Sequence, residues 1–166
     1  MSGEYMVRAQ GGVSFEDGRD WGRILVFGAD TGGRYSLMEC VLAPRPATDP
    51  PDFGPHRHAD IEETFLVRRG RLRFLLGEAA FDLEPGDFVR APPGMRHGFA
   101  NVSGETVELL VSFHPGGFET LFVAHRTDQD PPPSPTGFMD DARRRFASEF
   151  ETPAPSVPLH GPDDAP

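Results

Sequence analysis

At 166 residues, 37% of them hydrophobic and 25% charged, the chain has the length of one domain and is too apolar to be disordered throughout. Its single cysteine, Cys40, excludes an intramolecular disulfide framework and any multi-cysteine zinc site. Sixteen arginines and no lysine against 26 acidic residues leave a net charge of −10, which repels phosphate backbones and anionic lipid, so neither nucleic acid nor a membrane is expected as a partner.

The first twenty residues hold Glu4, Arg8, Glu16, Asp17, Arg19 and Asp20 and no apolar core, so no signal peptide is read there. No apolar stretch approaches the ~20 residues that a membrane helix needs. A cytoplasmic location follows as the expectation. Glycine (19) and proline (18) cut the chain into short apolar runs, the pattern of an all-β sandwich or barrel. Strands are predicted at Arg23–Phe27 and Tyr35–Leu42, with a glycine-rich turn between them. A proline-rich loop, Ala43–Gly54, follows. Further strands are predicted at Thr64–Val67, Arg71–Leu76, Ala79–Leu83, Phe88–Ala91, His97–Val102 and Thr106–Phe113. Helix is expected only late, as a short piece at Phe118–Ala124 and a longer one at Phe138–Phe150. There Phe138, Ala142, Phe146 and Phe150 recur every fourth residue. Thr127–Gly137, with four prolines, reads as a linker, and Thr152–Pro166, with five, as a disordered tail. The organisation expected is an N-terminal arm (1–19), a barrel (20–115), a C-terminal helical extension (116–151) and the tail (152–166).

The chemistry concentrates in His56, His58, Glu62, Glu63 and the distant His97. On a strand, residues i and i+2 face the same way, so His56 and His58 can aim at one point while Arg57 points away. Glu62 or Glu63 adds a carboxylate, and His97 arrives after the rigid turn Pro92-Pro93-Gly94. Three imidazoles and one carboxylate suit a first-row transition metal rather than calcium or magnesium.

These residues resemble the cupins. The first cupin motif, G-x5-H-x-H-x4-E-x6-G, is matched by His56, His58, Glu63 and Gly70, with Pro50 standing where the leading glycine would fall. The second, G-x5-P-x-G-x2-H-x3-N, is matched by Gly86, Pro92, Gly94, His97 and Asn101. The x6 spacing to Gly70 selects Glu63, and leaves Glu62 as its solvated neighbour. The stretch His58–Glu63 and the run His114-Pro115-Gly116-Gly117-Phe118-Glu119 are similar to small quercetinase-type cupins.

The resemblance implies an all-β cupin double-stranded β-helix (jelly-roll barrel) with a short C-terminal helical segment, and a homodimer. It also implies one divalent transition metal on His56, His58, Glu63 and His97: Fe(II) first, with Mn, Ni, Cu, Co or Zn as alternatives. Glu63 would be both ligand and catalytic base. The activity it suggests is a dioxygenase taking O2 and an enol, flavonol-like or polyketide-like aromatic small molecule. Alternatives are an isomerase, cyclase or decarboxylase that uses the metal without O2, and a barrel that binds a small molecule without turnover. Other residues have plainer readings. Asn101 satisfies backbone groups, Cys40 is a small buried hydrophobe, and Arg57 and Arg143–Arg145 are exposed charges. His114 is either an acid/base at the mouth or an ordinary strand-end histidine.

Overall fold

The computed structural model describes residues 5–46, 53–126 and 137–151. The expected tail, nearly all of the linker, the centre of the proline-rich loop and the first four residues lie outside these.

Two antiparallel sheets face one another. The first holds six strands: β1 (Val13–Asp17), β2 (Asp20–Val26), β3 (Ser36–Leu42), β10 (Val107–His114), β5 (Glu62–Arg69) and β8 (Phe88–Ala91), in that spatial order. The second holds five: β11 (Ser148–Phe150), β4 (Phe53–His58), β9 (His97–Asn101), β6 (Leu72–Leu76) and β7 (Ala79–Leu83). This is the expected all-β jelly-roll barrel with a short helical segment. Among the described residues no helix is long and apolar enough to cross a membrane.

Alternation builds the core. On β10, Val107, Leu109, Val111 and Phe113 are buried, and on β5 so are Glu63, Phe65 and Val67. From the opposite sheet, Leu72 and Phe74 of β6 and Phe99 of β9 meet them, with Phe65–Phe74 ring centroids 4.9 Å apart. The inward set of β5 therefore places one carboxylate in line with two apolar core residues.

Two glycines make this geometry possible. Gly70 turns β5 into β6 at φ +74°, and a Cβ there would lie 2.6 Å from the Thr106 carbonyl oxygen. Gly98 lies on β9, which is buried along its whole length, and a Cβ there would come 2.8 Å from the Phe53 carbonyl oxygen. A register shift between Phe53 and His56 in the β4–β9 pairing accommodates Pro55, which has no N–H to give a ladder.

Two elements differ from the sequence expectation. Val13–Asp17, placed in the arm by sequence, forms β1 and pairs residue for residue with β2. The helix expected over Phe138–Phe150 spans Gly137–Phe146 only (α2). Ala147 takes a left-handed φ of 47°, and the chain leaves the helix to form β11. Phe138, Ala142 and Phe146 still form the inner face of α2, as the four-residue period requires. Together α2 and the short α1 (Thr120–Ala124) stack Phe118, Phe122, Phe138 and Phe146 on one end of the barrel.

Glu119 ties this cover down. It is 1% exposed, and its two carboxylate oxygens accept from the backbone N–H of Gly28 (2.8 Å) and Gly117 (2.6 Å). Glu119→Ala leaves both donors without that partner. It should lower stability by about 2–4 kcal/mol, read as a lower urea midpoint at unchanged m value.

Candidate metal centre

His56, His58, Glu63 and His97 come together at one end of the barrel, where the two sheets meet. Each offers a ligand atom, and these atoms all lie within 4.8 Å of one another. Strand register brings them together. His56 pairs with His97 across β4–β9, and Glu63 faces them from β5 in the opposite sheet. All four are buried, none more than 4% exposed.

The ring orientations are consistent. His56 donates from Nδ1 to the Gly54 carbonyl (2.8 Å), and His97 from Nδ1 to the Met95 carbonyl (2.9 Å). His58 Nδ1 lies 2.6 Å from Ser148 Oγ. With each Nδ1 engaged outward, each Nε2 lone pair is left for the centre.

At that centre the partners are missing. His58 Nε2, His97 Nε2 and Glu63 Oε1 are buried without a hydrogen bond. His58 Nε2 lies 2.6 Å from Glu63 Oε1 but is too poorly directed to be a hydrogen bond, and His97 Nε2 is 3.7 Å from Oε2. Buried polar atoms without partners are costly, and a buried carboxylate more so. A cation answers both needs. Donors around one ion at about 2.0–2.2 Å are at most about 4.4 Å apart, so a contraction of a few tenths of an ångström suffices. The residues therefore fit a divalent transition metal.

Electrostatics favour the ligand-competent forms of His56 and Glu63. Burial, with His97 and His58 alongside, pushes His56 down to about 4, so it is neutral at neutral pH. Burial alone would raise Glu63, but the facing imidazoles of His58 and His97 outweigh it and hold the carboxyl well below the usual range. Burial lowers His97, yet Glu63 opposite it leaves a net rise.

Glu62 is not in the cluster. It points to the other face of β5 and pairs with Arg90, which lowers its pKa. His114 is exposed, accepts or donates at Ser112 Oγ (2.9 Å) and stacks on Tyr35, away from the centre. The Asn101 amide nitrogen donates to the carbonyls of Ala43 (2.9 Å) and Glu105 (2.6 Å), and its oxygen accepts from the Ser103 backbone N–H (3.1 Å). Arg57 is exposed as expected, and bonds Glu149 (2.8 Å).

Beside the four residues lies a small cavity of about 40 Å³, walled by seven phenylalanines, Phe15, Phe53, Phe65, Phe99, Phe113, Phe118 and Phe122. Met38, Cys40 and Leu42 also line it, and Asp17, Asp20 and Trp21 stand along it on the β1–β2 hairpin. Burial pushes the Cys40 thiol up, which keeps it neutral and no nucleophile.

The sequence reading missed three contributors: Ser148, the aromatic cover from Phe118 and Phe122, and the Asp17–Asp20 hairpin. Ser148 had a signal. From Ala147 to Glu151, small or apolar residues and acids show a strand-like alternation at Ser148, Glu149, Phe150 and Glu151.

Residues 45–113 match the cupin domain family. In fold the chain is similar to KdgF from Halomonas sp. (TM-score 0.57, 16% identity, over 72% of this chain and 99% of that one). It is also similar to the polyketide cyclase RemF from Streptomyces resistomycificus (0.53, 24%, 67% and 79%). A third is a cupin-superfamily sugar phosphate isomerase from Silicibacter pomeroyi (0.54, 19%, 66% and 74%). No curated protein matches the sequence. The matched segment and these shared folds point the same way, and His56, His58, Glu63 and His97 form a buried cluster that could hold a metal ion.

Metal and protons compete for the same Nε2 atoms. Co(II) affinity should therefore fall as pH is lowered from about 8 to about 5, and most steeply where His97, raised by Glu63, takes up its proton. Elemental analysis should find about one metal ion per chain, lost in Glu63→Ala, because that variant removes the only carboxylate of the set.

Proposed function

We propose that the chain is a metal-dependent enzyme acting on an enolisable aromatic or polyketide-like small molecule, and that its reaction is a dioxygenation. The observation that carries this reading is the composition of the cavity. Seven phenylalanine rings surround a space whose polar lining is His56, Glu63 and the two aspartates of the hairpin. Such walls bind a flat apolar ring and exclude water.

A divalent metal held by His56, His58, Glu63 and His97, Fe(II) first among the options, would supply Lewis acidity that lowers the pKa of an enol hydroxyl bound beside it. The chain's own residues supply the rest. Three neutral imidazoles and one carboxylate would leave a bound divalent metal with one net positive charge, which would favour the enolate over the enol. Glu63, the one carboxylate of the set, is the acceptor we propose for the hydroxyl proton; its lowered pKa means that the proton passes on from it rather than resting there. The phenylalanine walls orient the ring. At about 40 Å³ the cavity has room for only about three water molecules, so substrate admission requires the Phe118–Phe122 cover to shift.

One observation favours a second reading. Asp17, an exposed residue at the edge of the cavity, has its pKa raised by partial loss of water and by its neighbour Asp20, with Arg45 opposing. A carboxyl that holds its proton more firmly suits the proton transfers of an isomerase, cyclase or decarboxylase working without O2. The cyclase RemF and the sugar phosphate isomerase named above share the fold, which by itself does not choose between chemistries.

The test is an oxygen-electrode assay of Fe(II)-loaded protein with a flavonol and with a polyketide enol, in air and under nitrogen. The proposal expects O2 uptake matched to substrate loss, abolished in Glu63→Ala. Product formed equally under nitrogen supports the second reading instead. Ligand-dependent thermal stabilisation with no product in either atmosphere overturns the enzyme reading in favour of a binding barrel.

A further inference from the structure

The three histidines are not oriented in the same way. His56 and His97 each turn Nδ1 back on the carbonyl two residues earlier in their own strand segment, Gly54 and Met95. The residue two before His58 is His56, and His58 does not use its carbonyl. Its Nδ1 partner is a side chain 90 residues further on: Ser148 Oγ, at 2.6 Å. Ser148 is 2% exposed and the His58 side chain 0% exposed, so no water competes for this bond. With His58 Nε2 turned to the centre, Nδ1–H donates and Ser148 Oγ accepts.

The strand that delivers Ser148 is fitted to the ligand strand. β11 pairs antiparallel with β4, with Ser148 opposite His58 and Phe150 opposite His56. Phe150 stacks on the His56 ring at 5.4 Å and 15° between planes. Glu151 continues the contact: its N–H donates to the Pro55 carbonyl (3.0 Å), and its carboxylate accepts from Arg96, the residue before His97 (2.8 Å). Residues 148–151 thus touch both chain segments that carry histidines.

From this geometry we infer that Ser148 is a positioning residue of the metal centre, which holds the ring angle of His58 from the C-terminal strand. This rests on the metal-binding reading of His56, His58, Glu63 and His97. An outward partner on a ligand histidine sets which nitrogen is free, and its loss costs metal affinity without removing a ligand. The C-terminal segment is then part of the metal site rather than an appendage to the barrel.

The experiment is a competition titration of the full-length protein with Co(II), read together with the visible absorption of the bound ion. The variants are Ser148→Ala, Ser148→Thr and Glu149→Ala. Ser148→Ala should weaken Co(II) binding about 10–100-fold and shift the Co(II) bands. Ser148→Thr keeps the hydroxyl and should restore both. Glu149→Ala removes an exposed side chain from the same strand and should match the wild type. Wild-type affinity and spectrum in Ser148→Ala would overturn the inference. An equal loss in Glu149→Ala would also overturn it, because the strand rather than the hydroxyl would then matter. A wild-type protein that takes up no Co(II) overturns the metal reading itself, and this inference with it.

Discussion

A carboxylate inside a protein must be compensated, and Glu63 is a carboxylate on the inward face of a core strand, 4% exposed. Among the described residues no arginine is an ion-pair partner of Glu63. What faces it are the Nε2 edges of His58 and His97, while His56 completes the group from β4. The neighbouring positions on β5, Phe65 and Val67, are ordinary core, so the same alternation that builds the barrel places the charge. A divalent ion compensates it fully and satisfies the three buried atoms that otherwise lack partners.

The rest of the molecule serves this arrangement. Glu63 comes from the six-stranded sheet and the three histidines from the five-stranded one, so the site exists only while the two sheets face one another. The aromatic cover reaches the centre directly, with the Phe118 ring 4.7 Å from that of His58. Glu119 fixes the cover to Gly28, at the start of the turn that follows β2. Displacing the cover would therefore disturb contacts that reach the ligand strand.

Much of this was legible in the sequence, and the reason is local. Strand period two puts His56 and His58 on one face, and the two spaced motifs name Glu63 and His97. Those relations depend on short separations and on turns such as Gly70 and Gly94, whose residue types announce them. What failed was the end of the last helix. Phe150 continues the four-residue spacing of Phe138, Ala142 and Phe146, so periodicity extends the helix through it. Yet Phe150 is half-buried and stacks on His56 in a strand, a contact set by tertiary pairing with β4. β1 was missed for a similar reason: Val13–Asp17 has a single buried residue, Phe15, and little alternation to read. The cavity wall was out of reach altogether, because its phenylalanines come from several separate elements.

The central claim is that one ion sits on three imidazoles and one carboxylate. X-ray absorption of the Co(II)-loaded protein at the metal edge tests it directly. The account predicts a first shell of nitrogen and oxygen at about 2.0–2.2 Å, with the multiple-scattering pattern of three imidazoles. A shell of oxygen alone, or the pattern of fewer than two imidazoles, would contradict it.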